Sequence, residues 1–192
     1  MVIADRKTII LEAAQTLLLE VGNAGMTMRR VAAQAGISLG NLQYHYPTRD
    51  DLMLALLLKF LEPYEAKLDR PLSAAHQPLV EKLKALFMEA LHYPEFDACA
   101  SIFKELWAES VRSPDLKKVL NAYYARLAEF YRTAFASIVP PEIEASKIER
   151  AVMVLLPMLE GYCVTKDVFE ISNERLSAEW AKAVAAMLEP DA

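Results

Sequence analysis

A short run of residues between Arg29 and Arg49 has the chemistry to hydrogen-bond a nucleic acid. The amides of Asn41 and Gln43 can pair with base edges or phosphates. Tyr44, His45 and Arg49 add hydroxyl, imidazole and guanidinium donors suited to phosphate oxygens, and Arg29 and Ser38 lie just upstream. Leu42 is the one strong hydrophobe able to anchor the segment to a core. Leu39, Gly40, Asn41 and Gln43 are then left to meet something outside. Gly40 weakens a helix but permits close approach to another backbone.

Two short helices must hold these groups. Thr27 can cap the first, with Met26 and Val31 spaced as a hydrophobic staple. Val31 and Ala32 face inward, and Gly36 suits a left-handed turn at the helix end. Ser38 caps the second helix, and Ile37 and Leu42 repeat the staple. Two capped helices within twenty residues match a helix-turn-helix, which sets its second helix in the DNA major groove. A preceding helix, about Asp5 to Val21, aligns Ile10, Ala13, Ala14, Leu17, Leu18 and Val21 on one face. It completes a three-helix head. A fourth helix starts near Thr48 to Asp51, with acids at its N-terminus, and runs through Leu52, Leu56 and Phe60 towards Leu68 as a lever to the rest of the chain.

The segment from Thr8 to Leu52 resembles the TetR family of bacterial transcriptional regulators. The resemblance is carried by Ile10 to Ala14, a Gly22 stop, Thr27 with Arg29, Val31 and Ala32, and Ala35-Gly36-Ile37-Ser38 with Gly40. Leu42, His45, Tyr46, Arg49 and Leu52 complete it. Gln43 stands where such proteins commonly carry a phosphate-binding Tyr, and Pro47 where Lys or a polar residue is frequent. The resemblance implies DNA contacts from Arg29, Ser38, Leu39, Gly40, Asn41, Gln43, Tyr44, His45 and Arg49. Arg29 and the early second-helix residues would lie near bases, and Tyr44, His45 and Arg49 near phosphates. It further implies a homodimer on a near-palindromic operator, with a small molecule in the helical body shifting the spacing of the heads.

Composition agrees with a helical regulator. The 192 residues are 54% hydrophobic with only five glycines, so one large or two small all-α domains are expected. The net charge is -5, but residues 1–49 carry five basic against three acidic residues, a mildly basic head on an acidic body. No 18-residue apolar stretch marks a membrane span, and the first seven residues have no signal-peptide core; a cytoplasmic location is expected. Cys99 and Cys163 read as reduced thiols. No residue set has metal-ligand spacing, no phosphate loop or nucleophile motif occurs, and no cofactor is expected.

Beyond the head, periodicity predicts helices over about Pro78–His92, from beyond Pro94 to Val111, from Ser113-Pro114 to Val139, over Glu142–Lys166, and from Ser172 to Leu188. Ala151 to Leu159 is nine consecutive apolar residues, with Pro157 expected to kink the helix. Such a run needs cover on two sides. Together with a stripe of Leu176, Trp180, Ala183, Val184, Met187 and Leu188, it points to a homodimer through the last two long helices. Pocket-type residues are Phe96, Phe103, Trp107, Tyr123, Tyr124, Tyr131, Met153, Met158 and Tyr162. Phe103, Trp107, Tyr124, Met158, Glu160 and Tyr162 are the candidate ligand contacts, with Glu105 as a second carboxylate.

The expected organisation is a DNA-binding domain over 1–47 and an effector-binding and dimerisation domain over 48–192. The expected function is a ligand-responsive DNA-binding regulator, a repressor released from double-stranded operator DNA by a small molecule. A regulator or activator without an effector, and a helical enzyme or binding module, stay open as alternatives.

Overall fold

The computed structural model describes residues 5–59, 77–92 and 96–188, without the side chains of 96–99 and 101. Among the described residues the chain is helical throughout, with no strand. It divides into two compact units. The first comprises residues 1–60 and 98–124, the second residues 61–97 and 125–192.

The first unit contains α1 (Arg6–Gly25), α2 (Met28–Gln34), α3 (Leu39–His45), α4 (Arg49–Lys59), most of α6 (Phe96–Ser110) and the start of α7 (Pro114–Ile138). Helix α1 buries Ile10, Ala13, Ala14, Leu17 and Leu18. Val21, expected on that face, is exposed, because the helix breaks one residue later. Gly22 sits at φ 70°, ψ 178°, a conformation open almost only to glycine, and a single turn to Gly25 follows. The Thr27 hydroxyl accepts from Arg30 N at 3.3 Å and the Ser38 hydroxyl from Asn41 N at 3.2 Å, so both expected caps form. Gly36, at φ 66°, closes α2 while Ile37 N donates to Ala32 O at 3.0 Å. Met26, Val31 and Leu42 are buried, and α1 packs on both α2 and α4.

Thr48 and Asp51 bond reciprocally at the head of α4. The Asp51 carboxylate accepts from Thr48 N at 3.0 Å and the Thr48 hydroxyl accepts from Asp51 N at 3.1 Å. This is a capping box with Asp in place of Glu. Leu52, Met53, Leu56 and Leu57 form its buried face. The expected continuation from Phe60 to Leu68, the loop residues 71–76, Pro94 and the Phe96 and Cys99 side chains lie outside the described residues.

The second unit contains α5 (Leu79–Leu91), the remainder of α7, α8 (Ala145–Thr165), a 3-10 turn (Lys166–Val168) and α9 (Asn173–Leu188). Ser113 and Pro114 open α7 as the sequence predicts, with Leu116 N donating to the Ser113 hydroxyl at 3.3 Å. Helix α8 is shorter than expected at its start and runs through Pro157. Helices α5 and α9 pack closely. The Phe87 and Trp180 rings meet edge-on at 6.0 Å, and Asn173 Nδ2 donates to Leu91 O at 3.1 Å, satisfying a carbonyl that the end of α5 leaves open. The buried face of α9 is Trp180, Ala181, Val184, Ala185 and Leu188. Ala183 is exposed and Leu176 and Met187 only half-buried, so this face is rotated from the expected stripe. Close approach to α5 favours the two small alanines over the longer Met187. On α8, Arg132 of α7 grips Glu149 through Nε and Nη2 at 2.6 and 3.1 Å. This hydrogen bonding holds the Glu149 carboxyl below its ordinary range.

Candidate nucleic-acid interface

Helix α3 is anchored by one side chain. Leu42 is fully buried, whereas Gly40, Gln43 and Tyr44 are exposed and fall at helical spacing on the opposite face. Tyr44 is 83% exposed, a large aromatic with no core to serve, braced edge-on by the His45 ring at 5.3 Å. A Cβ added at Gly40 would meet nothing within 4 Å, so no packing within the chain requires glycine there. Leu39, Asn41 and His45 are half-buried at the edges of this face. Asn41 presents less than expected: its Oδ1 is shielded from solvent with no donor. Ser38 is exposed, with its hydroxyl engaged as the cap.

Two neighbouring arginines differ. Arg30 folds back, donating to Gly25 O at 3.1 Å, while Arg29 is exposed with no side-chain partner among the described residues. Arg49 also behaves differently from a free phosphate donor. It is half-buried, and its Nε donates to Met26 O at 3.2 Å while Nη2 donates to Asn23 O at 2.7 Å and to Asn23 Oδ1 at 2.5 Å. The guanidinium thus caps the carbonyls that the end of α1 exposes.

Asn23 is the centre of this network and was not singled out by the sequence. It is fully buried, its backbone N–H donates to Glu105 Oε1 at 2.8 Å, and its side-chain amide donates to Glu109. Glu105 and Glu109 are four residues apart on α6, where two like charges repel unless a donor lies between them. That pair, with the Gly22-Asn23 dipeptide at a helix end, is the signal that was available. Glu105 therefore serves the α1 break, accepting from its backbone through Oε1.

The six candidate ligand residues are distributed over both units. In the first, Phe103 packs against Tyr123 at 4.9 Å and near Trp107 and Tyr124, and Trp107 Nε1 donates to the Tyr124 hydroxyl at 2.6 Å. In the second, Met158 and Tyr162 line an open cavity of about 620 Å³ with Trp180, whose ring meets Tyr162 edge-on at 5.6 Å. Glu160 is half-buried and is not part of that lining. Its charge adds to the effect of burial in raising the Tyr131 phenol well above its ordinary range. Among the described residues no group of three His, Cys, Asp or Glu side chains is placed to hold a metal, and no helix is long and apolar enough to cross a membrane.

Comparison with known proteins agrees with this geometry over nearly the whole chain. Residues 10–56 match the bacterial regulatory proteins of the tetR family, and residues 79–189 match the C-terminal part of BetI-type transcriptional repressors. The chain belongs to the TetR family. It is a DNA-binding transcriptional regulator of a family of regulators rather than enzymes. A relative from Xanthobacter autotrophicus, an uncharacterised HTH-type transcriptional regulator in the dhlA 5' region, is 32% identical over 182 residues, covering 93% of this chain and 88% of the relative. A TetR-family regulator structure from Rhodococcus sp. superposes with a TM-score of 0.73 at 20% identity, covering 96% and 98% of the two chains. The multidrug binding protein EbrR, complexed with imidazole, gives 0.70 at 24% identity, covering 98% and 97%. At those identities the two structures establish the shared TetR-family fold. Homodimers are typical of the family.

Proposed function

We propose that this TetR-family chain is a cytoplasmic, ligand-responsive repressor that binds operator DNA as a homodimer through residues 1–47. Residues 48–192 bind the effector and the second copy. The observation that carries the DNA-binding face is the outer surface of α3: Gly40, Gln43 and Tyr44 are exposed opposite a single buried anchor, beside an unengaged Arg29. Arg29, Ser38, Leu39, Gly40, Asn41 and Gln43 lie towards the bases, and Tyr44 and His45 towards phosphates. Arg49 contributes chiefly by shaping the end of α1. Arg29→Ala is expected to relax sequence preference at a cost of about 1–3 kcal/mol. Tyr44→Ala is expected to weaken all sequences alike. Fluorescence anisotropy on operator and scrambled DNA distinguishes them, and equal losses on both DNAs for Arg29→Ala would remove it from the bases.

The second copy docks on α8 and α9. The support for this is the residue content of α8: Met153 and Val164 are 66% and 53% exposed, on a helix whose exposed positions from Met153 to Thr165 carry no charge. The candidate effector contacts fall in two groups, Phe103, Trp107 and Tyr124 in the first unit and Met158, Glu160 and Tyr162 in the second, each aromatic or Met-rich and suited to a flat or greasy molecule. EbrR, which shares the fold, is described as a multidrug binding protein. The effector shifts the population between two arrangements of the heads through differential affinity.

The ring packing and hydrogen bond of Trp107 and Tyr124 favour a second reading, in which those aromatics are core and no effector reaches them. Ligand screening by thermal shift, followed by Trp107→Ala/Tyr124→Ala and Met158→Ala/Tyr162→Ala double variants, separates the two. An effector contacting the first cluster is expected to lose at least tenfold in affinity with the first double variant. Unchanged binding in both would place the site elsewhere.

A further inference from the structure

The cavity of about 620 Å³ in the second unit is lined by α8, the 3-10 turn and α9. Its lining is largely aromatic and apolar. The Tyr162 and Trp180 rings meet at 5.6 Å with their planes 89° apart, so the two rings form a corner. Such a corner offers a flat guest one ring face and one ring edge, the two favoured geometries of aromatic contact. Met158 and Leu176 add apolar surface, and Phe169, also in the lining, is 59% exposed with no core to serve. At Gly161 a Cβ would meet nothing within 4 Å, so the chain's own packing does not require glycine there, and its absence keeps this wall of the cavity bare. By helical spacing Tyr162 falls on the opposite side of α8 from the exposed Met153.

The polar groups of the lining narrow the guest. The Thr165 hydroxyl is already engaged, donating to Gly161 O at 2.8 Å. Trp180 is different. It is only 7% exposed, yet its indole N–H donates to no group among the described residues. A buried indole N–H ordinarily finds an acceptor. This one is not sealed within the fold, so the space open to it is the cavity that its ring borders. Indole is a donor only, so an ammonium group cannot satisfy it, whereas a ligand oxygen can. Arg175 lines the same cavity, and its guanidinium has no acceptor among the described residues. Its fork of donors matches a carboxylate, whose two oxygens have room for both the fork and the indole N–H. Glu170 is the opposing charge in the lining and weakens the attraction without supplying the donor's partner.

We propose that this cavity binds an aromatic carboxylate, with its rings in the Tyr162–Trp180 corner and its oxygens accepting from the Trp180 indole N–H and Arg175. The proposal rests on the reading of Met158 and Tyr162 as effector contacts and adds the chemical class of the effector. The corner supplies apolar contact to any flat molecule. The buried donor and the guanidinium select the acid over an amine or an alcohol of the same shape.

The test is calorimetric titration of the full chain with naphthoate, and with naphthylmethylamine and naphthylmethanol as cationic and neutral matches. Naphthoate is expected to bind at least tenfold more tightly than either match. Arg175→Gln is expected to remove most of that preference. Trp180→Phe keeps a ring and removes the donor, and is expected to weaken the acid more than the alcohol. Glu170→Gln is expected to tighten the acid and loosen the amine. Positions 170 and 175 are exposed, so those two variants are expected to fold whether or not Trp180→Phe does, with circular dichroism as the check. No binding of naphthoate up to millimolar concentration, tighter binding of the amine, or an acid affinity unmoved by Arg175→Gln overturns the proposal. The Met158→Ala/Tyr162→Ala variant separates it from the reading beneath it. If that variant weakens a bound probe while Arg175→Gln does not, the effector contacts stand and only the acid class falls. If it leaves every probe's binding unchanged, those contacts are wrong as well.

Discussion

Gly22→Ala is expected to destabilise the first unit by about 2–4 kcal/mol. Glycine is held here at φ 70°, ψ 178°, and a side chain in that region costs about 1–3 kcal/mol. The new Cβ would also stand 2.7 Å from Glu105 Oε1. That carboxylate sits at the end of a flexible side chain and can move, but moving it abandons the 2.8 Å bond from the N–H of fully buried Asn23. An unsatisfied buried donor adds about 1–3 kcal/mol, relieved in part by the relaxation itself. Gly36→Ala is the internal control. Gly36 also has a positive φ, 66°, but nothing lies within 4 Å of its Cβ, so only the conformational term of about 1–2 kcal/mol applies. Urea denaturation with hydrogen exchange over residues 6–45 reads the difference. Equal losses in the two variants would show that the Asn23–Glu105 contact contributes nothing. Arg49→Ala is expected to follow Gly22→Ala in stability, since it removes the other side of the same network.

Gly40→Leu is expected to separate stability from DNA affinity. The position is exposed in the first turn of α3 with open space around it, so the side chain fits the free protein. Leu is the better helix former by up to about 1 kcal/mol, and the melting temperature is expected to hold or rise. In the proposed docking of α3, the same side chain would stand where the helix backbone meets the groove. Forcing such bulk into a closely packed contact costs about 1–3 kcal/mol, a 5- to 150-fold loss of operator affinity. Anisotropy titrations beside thermal melts give both quantities. Undiminished affinity would mean that α3 does not approach DNA along Gly40.

Much of the local structure was legible because its determinants are local. Thr27, Ser38 and Ser113 cap within three residues of themselves, and Gly36 turns the chain where it stands. Periodicity is equally legible along α7, where Leu116, Leu120, Tyr123, Leu127, Phe130, Ala134 and Ile138 recur at helical spacing and are all buried. What escaped depends on distance along the chain. Asn23 meets Glu105 and Glu109 across more than eighty residues, so the Gly22-Asn23 dipeptide becomes a signal only when read together with that distant acid pair. Arg49 carries the chemistry of a phosphate donor, and only the position of the α1 carbonyls turns it inward. On α9 the choice between Ala181 with Ala185 and Ala183 with Met187 is a rotation of one helix. Alanine's weak hydrophobicity does not decide it, whereas close packing on α5 does.

The most direct test of the DNA-binding reading is selection of bound sequences from random double-stranded DNA with the full chain, followed by titration of the winner at several salt concentrations. The expected result is one near-palindromic sequence bound by two copies, at least a thousandfold more tightly than random DNA, with affinity falling steeply as salt rises. Failure to enrich any sequence, or equal binding of selected and random DNA, would contradict it.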